Sequence, residues 1–310
     1  GSKVNYLPQI KYCEYGDWIE VKAPTCTEEG YSYQECVHCS EISERFSSEL
    51  GHLYNAGKCE RCGEELEALE FTLKDDDTYE VKAAYTTISE AVIPNEFDGK
   101  RVTAIADNGF KECKSLKTVQ IPESIESIGY SAFASCIMLE SIEIPSSVKD
   151  IKSYTFGECT SLRSVILPEG IKVISDLIFI NCESLENVDI PDGVVQIGEF
   201  AFAECSALKE IFLPDGLTNI GERAFIRCSS LEKVRLPDSL IRIEAYGFNA
   251  CAKLEKIVLP AALEYVGWMA FAGDKLLTVY CRSEYEPSSW NEGWNLEGYE
   301  VPVVWGYTGE

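Results

Sequence analysis

The stretch Phe110-Lys111-Glu112-Cys113 begins a pattern that continues along most of the 310-residue chain. Its phenylalanine and its cysteine return every 23 residues, and a proline recurs at the same interval. The repeated residues are Phe133, Phe156, Phe179, Phe202, Phe225, Phe248 and Phe271, then Cys136, Cys159, Cys182, Cys205, Cys228 and Cys251, and Pro122, Pro145, Pro168, Pro191, Pro214, Pro237 and Pro260. Three residue types in one unbroken register predict a solenoid, in which each repeat is one coil and stacked coils share a continuous core.

Each repeat contains two local patterns. Apolar residues six and eight positions after each cysteine, followed by the proline, alternate as in a short strand with both aliphatic side chains facing inward. Before the next strand, Ala201, Cys205 and Leu208 show spacings of four and three that indicate a short helical turn. We therefore expect one strand and one helical segment per coil. The fold class is an α/β solenoid, a right-handed coil with a parallel concave sheet.

The segments that flank the repeats predict a cap at each end. Phe71-Thr72-Leu73 and Tyr79-Glu80-Val81 alternate around an acidic turn, which indicates a β-hairpin over the first coil. Its three aspartates lack the spacing of a calcium loop, so we interpret them as a solvated turn. The tail contains Trp290, Trp294 and Trp305, which we expect to pack over the last coil, with a sugar-stacking role as the alternative.

The first 65 residues differ in kind from the rest, because they hold six cysteines and both histidines but few aliphatic residues. Two Cys-x-x-Cys pairs predict a zinc-ribbon-like site with Cys36, Cys39, Cys59 and Cys62 as ligands. Four protein ligands leave no position for water, so such a zinc is structural. Two disulfides, a mixed arrangement with Cys13 and Cys26, and free thiols are the alternatives. His38 and His52 are possible substitute ligands.

These patterns divide the chain into four parts. We expect a cysteine-rich module over residues 1–65, a hairpin cap over residues 66–94, about eight leucine-rich coils over residues 95–283 and a C-terminal cap over residues 284–310. The cysteines of the repeats are expected to be buried and reduced, because a buried thiol acts as a small apolar group. Identical residues in register also point the same way, which disfavours disulfides between coils.

Composition limits the partners. The formal net charge of -25 repels phosphate backbones, so nucleic acid is not expected as a partner. The chain has no run of eighteen apolar residues, so we expect no membrane insertion by this sequence. We expect a monomer.

The repeats also lack the usual components of an enzyme site. No histidine follows His52, which excludes Ser-His-Asp and Cys-His arrangements within the solenoid. No glycine-rich phosphate loop and no His-Glu-x-x-His motif is present. We expect no catalysis, and a zinc-dependent enzyme that uses the N-terminal cysteines is a remote alternative.

The residue seven positions after each cysteine lies between two inward residues and should face outward. We call these positions the outward column: Gln120, Glu143, Ile166, Asp189, Phe212, Arg235, Val258 and Cys281. The predicted binding residues are Glu143, Ile166, Asp189, Phe212, Arg235 and Val258. The alternative is that Ile166, Phe212 and Val258 only reflect the preference of such residues for strands. Neighbouring positions, including Glu186, Asn187, Glu210, Lys233 and Lys256, add mixed charge that can select a partner.

The repeat motif, with Ile197-Gly198, Ala201-Phe202 and Cys205 as one copy, resembles the BspA-like leucine-rich repeats of bacterial surface proteins. The resemblance covers residues 93–283. It implies an exported protein that is exposed to other cells or to host matrix and binds macromolecules. Gly1-Ser2 looks like an expression remnant, so we presume that a signal peptide has been removed.

The leading hypothesis is an extracellular, non-catalytic protein that binds a macromolecular partner through its concave sheet, as in bacterial surface adhesion. A protein is favoured over a glycan at a cell or matrix surface. The alternative is a structural spacer or targeting module that presents a neighbouring domain.

Overall fold

The computed structural model describes residues 14, 16–24, 29–35, 37, 42–47, 54–55, 58–59, 67–273, 275–296 and 301–309. Residue contacts divide the chain into two compact units, Gly1–Leu66 and Glu67–Glu310. The described strands of the first unit are β1 (Ile19–Lys22), β2 (Gly30–Glu35), β3 (Ile42–Ser47), β4 (Tyr54–Asn55) and β5 (Lys58–Cys59). Strands β1, β2 and β3 form an antiparallel sheet, and β4 pairs with β5.

The second unit begins with the predicted hairpin. Strands β6 (Leu69–Leu73) and β7 (Tyr79–Ala83) pair antiparallel, with Phe71 opposite Val81. In the turn between them, Asp77 adopts a φ of 64°, one of the conformations that short acidic side chains tolerate. Strand β7 also pairs in parallel with β10 (Lys100–Ile105), a strand of the first coil. The hairpin therefore covers the first coil, as predicted.

Two series of short strands run along the solenoid. Series A consists of β8 (Glu90–Val92), β11 (Thr118–Gln120), β13 (Ser141–Glu143), β15 (Ser164–Ile166), β17 (Asn187–Val188), β19 (Glu210–Phe212), β21 (Lys233–Arg235), β23 (Lys256–Leu259), β25 (Thr278–Cys281) and β26 (Val303–Val304). Series B continues from β10 through β12 (Ser127–Ile128), β14 (Asp150–Ile151), β16 (Val173–Ile174), β18 (Gln196–Ile197), β20 (Asn219–Ile220), β22 (Arg242–Ile243) and β24 (Tyr265–Val266). Strand β9 (Glu96–Phe97) pairs antiparallel with β10.

The coils are joined by parallel pairing at the repeat interval. In series A, Glu210 lies opposite Lys233, and in series B, Asn219 lies opposite Arg242. The prediction of one strand per coil was therefore wrong, since each regular coil has two. Series B was missed because its strands after β10 contain only two residues each, which is too short for an alternating pattern to be recognised.

The predicted helical segment is not a helix, and no helix occurs in the described part of the chain. Instead, consecutive turns carry the backbone on this side, and the amides of Phe200, Phe202 and Glu204 donate to carbonyls of the next coil. Phe200 and Glu204 have φ values of 54° and 62°, which a right-handed helix does not permit. Hydrogen bonding between coils thus replaces the i to i−4 bonds that a helix requires. The fold is a β-solenoid of stacked coils.

The repeated phenylalanines form a continuous stack through the core. All eight are fully buried, and adjacent ring centroids lie between 5.0 Å and 5.7 Å apart. The repeated cysteines lie beside them and are free thiols, which confirms the buried, reduced state. From Cys136 to Cys251, each thiol donates to the carbonyl of a phenylalanine 26 residues earlier, as Cys205 Sγ does to Phe179 O at 3.2 Å.

Close stacking explains the repeated Ile-Gly pair. A Cβ atom added to Gly221 would lie 2.6 Å from the carbonyl carbon of Gly198 in the preceding coil. This distance is far below a van der Waals contact between carbon atoms. Glycine at this position lets the two backbones approach.

The C-terminal tail covers the last coil, as predicted. Trp294 packs edge-on against Phe271 with 5.9 Å between ring centroids, and Trp290 packs against both Trp294 and Trp305. The amide of Phe271 donates to the carbonyl of Trp294, and β26 pairs with β25. The tail thereby buries the end of the phenylalanine stack.

Candidate functional site

Series A places the outward column on the surface. Gln120, Glu143, Asp189 and Arg235 are exposed, while the aliphatic residues beside them in each strand point into the core. Ile166 and Phe212 are 60% and 59% exposed, so two large apolar side chains of this column face solvent. Val258 is half-buried.

The last position of the outward column was wrongly predicted. Cys281 is buried, and Tyr280 occupies the outward position because Val258 lies opposite Tyr280 and Leu259 opposite Cys281. The cause is a repeat that is one residue shorter. Two residues separate Leu254 from Ile257, but only one separates Leu277 from Val279.

A groove of about 890 Å³ lies on the C-terminal third of this surface. We call it the series A groove, and its lining residues are Asp215, Glu232, Lys233, Val234, Arg235, Leu236, Pro237, Asp238, Ser239, Lys256, Val258, Pro260 and Arg282. It brings together two predicted binding residues, Arg235 and Val258, with the flanking Lys233 and Lys256. The other predicted residues, Glu143, Ile166, Asp189 and Phe212, lie outside it.

Most basic residues of the series A groove lie on its strands, whereas its aspartates lie in turns at the edge. Lys233 and Arg235 lie on β21 and Lys256 on β23, whereas Asp215 and Asp238 lie in the turns that follow prolines. Asp215 and Asp238 are 87% and 80% exposed, and Arg282 only 40%. Three of the four cationic residues therefore lie on strands, whereas Arg282 follows β25 and the two aspartates lie at the rim.

Two ion pairs bridge the groove. Arg235 lies 3.5 Å from Asp215, and Arg282 lies 2.5 Å from Asp238. Pairs this exposed contribute about 0–1 kcal/mol, because water and salt screen them. Both pairs can therefore rearrange at a small cost in free energy.

Two tyrosines that do not line the groove, Tyr280 and, in the C-terminal cap, Tyr307, contact one of its lysines, Lys256. Lys256 Nζ lies 5.4 Å from the ring centroid of Tyr280 and 5.0 Å from that of Tyr307, and it donates to the Tyr307 hydroxyl at 2.9 Å. The two tyrosine rings contact each other with 4.7 Å between centroids. Aromatic rings and a hydrogen bond thus hold this ammonium group in place.

Several groove residues were not predicted. Arg282 follows the shortened last repeat, so its position could not be assigned from a constant interval. Asp215 and Asp238 directly follow repeat prolines, and this shared position was the available signal.

The buried thiols are unsuited to act as nucleophiles. Burial raises the pKa of Cys159 and Cys228 to about 12, and it raises the pKa of Cys182 and Cys205 well above the usual value. A thiol nucleophile must be deprotonated and accessible. These cysteines belong to the core.

The predicted zinc ligands cannot be placed. Cys36, Cys39 and Cys62 lie outside the described residues, and for Cys59 only the backbone in β5 is described. A zinc site there stays a prediction. Among the described residues, none forms a helix that is long and apolar enough to cross a membrane.

Comparison with known proteins agrees with the coil architecture. The family model for the BspA type leucine-rich repeat region matches six copies over residues 84–191 and 172–287, which is more than half of the chain. No curated protein matches the chain.

Two solved structures are similar. A leucine-rich repeat protein from Bacteroides ovatus is 25% identical with a TM-score of 0.54, and the match covers 77% of this chain and 66% of that one. A leucine-rich cell surface protein from Faecalibacterium prausnitzii is also 25% identical, with a TM-score of 0.50 and coverage of 72% and 76%.

Proposed function

The chain belongs to the BspA-type leucine-rich repeat family, and from this premise we propose that it is a non-catalytic extracellular or cell-surface protein that binds a macromolecule through series A. The partner is a protein in preference to a glycan, as in bacterial surface adhesion. The similarity to a protein described as a cell surface protein supports the location.

The proposal rests on the contrast between the inward and the outward positions of the series A strands. Inward positions of series A repeat Val, Ile or Leu, while the outward column changes from Glu143 to Ile166, Asp189, Phe212 and Arg235. Removal of exposed apolar residues such as Ile166 and Phe212 from water by a partner would make the free energy of binding more favourable. Arg235, with its planar guanidinium, is of a type that is enriched at protein interfaces.

Residue chemistry supports a role without catalysis. The sequence has no histidine after His52, so the series A groove lacks the commonest general base. Its aspartates lie on the exposed rim rather than in a closed pocket that would tune them for proton transfer.

Binding of the whole chain to arrays of matrix proteins and glycans is the direct test. We expect a protein ligand, and we expect Phe212→Glu and Arg235→Glu each to weaken its binding at least about tenfold. Val173→Glu and Arg242→Glu are the matched controls, since both residues are exposed on series B. A ligand whose affinity ignores the first pair but responds to the second would contradict the assignment to series A. Absence of any ligand would favour a structural spacer.

We further propose a structural zinc bound by Cys36, Cys39, Cys59 and Cys62, as two Cys-x-x-Cys pairs favour. Elemental analysis of the whole chain should find about one zinc per chain. Cys39→Ser should release it, whereas Cys205→Ser in the core should not. Disulfide-linked peptides from this segment after digestion would contradict the proposal.

A further inference from the structure

We propose that the series A groove binds an acidic, extended segment of a partner protein. This inference rests on the proposed function and adds the chemistry of the ligand. The groove is defined by its lining residues, above all Lys233, Arg235, Lys256 and Arg282.

Charge is the first reason. The chain as a whole has 52 acidic and 27 basic residues, yet four basic and three acidic residues line the groove. The ratio of acidic to basic residues is thus inverted in the groove. A carboxylate is repelled by most of the surface and attracted here, which directs an acidic segment to the groove.

An available cation is the second reason. Arg235 and Arg282 are paired with rim aspartates, but Lys233 forms no salt bridge with any carboxylate of the described residues. An incoming carboxylate can bind Lys233 without displacing a partner. It can also exchange with Asp215 or Asp238 at small cost, because those pairs are exposed.

The groove also favours a peptide over a sulfated glycan. Half-buried Leu236 and Val258 add some apolar surface between the charges, and this surface suits the side chains that alternate with acidic residues in an extended peptide. The rim aspartates and the net charge of -25 oppose a polymer that is anionic at every unit.

The test measures binding of a short fluorescent peptide, in which Glu alternates with Leu and Ser, to the whole chain by anisotropy. A second peptide has Gln in place of each Glu, and heparin is the third probe. We expect the Glu peptide to bind roughly tenfold more tightly than the Gln peptide, with an affinity that falls as salt rises. The double variant Lys233→Glu with Arg282→Glu should bind the Glu peptide roughly tenfold or more weakly.

The matched control is Arg163→Glu with Lys209→Glu, which makes the same charge change at exposed residues outside the groove. This control should retain the affinity for the Glu peptide within about twofold. Thermal unfolding should show that all variants are folded.

Equal binding of the Glu and Gln peptides, equal loss in both double variants, or no binding of the Glu peptide would overturn the proposal. Heparin binding that depends on Lys233 and Arg282, without peptide binding, would assign the groove to a glycan instead. These failures differ from failure of the proposed function. A protein ligand that depends on Phe212 can still be found when the groove rejects acidic peptides.

Discussion

The inward phenylalanine stack and the outward column recur at the same interval, but residue identity is constant in the first and variable in the second. From Phe110 to Phe271 the inward position never changes, and each ring lies against the next. The outward column, which lies along the strands of series A, contains acidic, basic, aliphatic and aromatic residues. Each inward residue must fit identical neighbours in two coils, so one change creates a cavity or a clash on both sides. An outward residue contacts water, so packing restricts its identity far less.

Alkaline pH should affect the inward side most strongly. Seven buried cysteines have a pKa raised by burial, and for Cys159 it rises from 9.0 to about 12. Below pH 9 these thiols are protonated in both states, so they have no effect. Above it the unfolded chain loses the protons first, and stability falls as pH rises toward the folded pKa. By about pH 10 each thiol lowers the free energy of unfolding by roughly 1.4 kcal/mol, and the seven together lower it by on the order of 10 kcal/mol.

Urea unfolding between about pH 8 and about pH 10 measures this loss. The variant Cys182→Ala with Cys205→Ala and Cys228→Ala should have a shallower dependence of the free energy of unfolding on pH, because three of the thiols are gone. An unchanged slope would show that the thiols are not the groups that titrate.

Two phenylalanines allow a direct comparison of the inward and outward sides. Phe202→Ala should lower the free energy of unfolding by roughly 3–5 kcal/mol, because it leaves a cavity between two stacked rings. Phe212→Ala should lower it by less than about 1 kcal/mol, since that ring is 59% exposed. Chemical denaturation of both variants tests the difference. Similar losses would mean that the outward column also carries stability.

Backbone stacking predicts the next largest effect. Gly221→Ala should cost roughly 1–3 kcal/mol, because its Cβ would meet the backbone of Gly198. Gly216→Ala is the control, since the nearest atom to its Cβ would be 3.8 Å away. That change should be neutral or slightly stabilising. Equal melting temperatures for both variants would contradict the close approach of the coils.

The outward column should give the smallest effect on stability. Ile166→Gln should alter the free energy of unfolding by less than about 0.5 kcal/mol, because Ile166 is 60% exposed. Val165→Gln in the same strand should be severely destabilising, since Val165 is buried. A large loss for Ile166→Gln, measured by thermal unfolding, would assign that residue to the core.

Much of this architecture could be predicted because the same residue pattern occurs in many consecutive repeats. The 23-residue interval identified the coils, the buried cysteines and the outward column, and alternation around an acidic turn identified the β6–β7 hairpin. Errors arose where backbone hydrogen bonds between coils decide the structure. Spacings of three and four near Cys205 resemble a helix, but the amides of Phe200 and Glu204 bond to the next coil. The outward position of Cys281 was wrong because one missing residue reverses the face of every later strand residue.

Periodicity in this chain is enough to establish a stacked core, since a residue that recurs at one interval must meet its own copies. It also separates inward from outward positions, because side chains in a strand alternate between faces. The series A groove needed the folded chain. Lys233, Lys256 and Arg282 come from three successive coils, and Tyr307 returns to Lys256 across 51 residues. The repeat interval relates Lys233 to Lys256, but no local pattern relates them to Arg282 or Tyr307, because that proximity depends on the shortened last repeat and on where the cap lies.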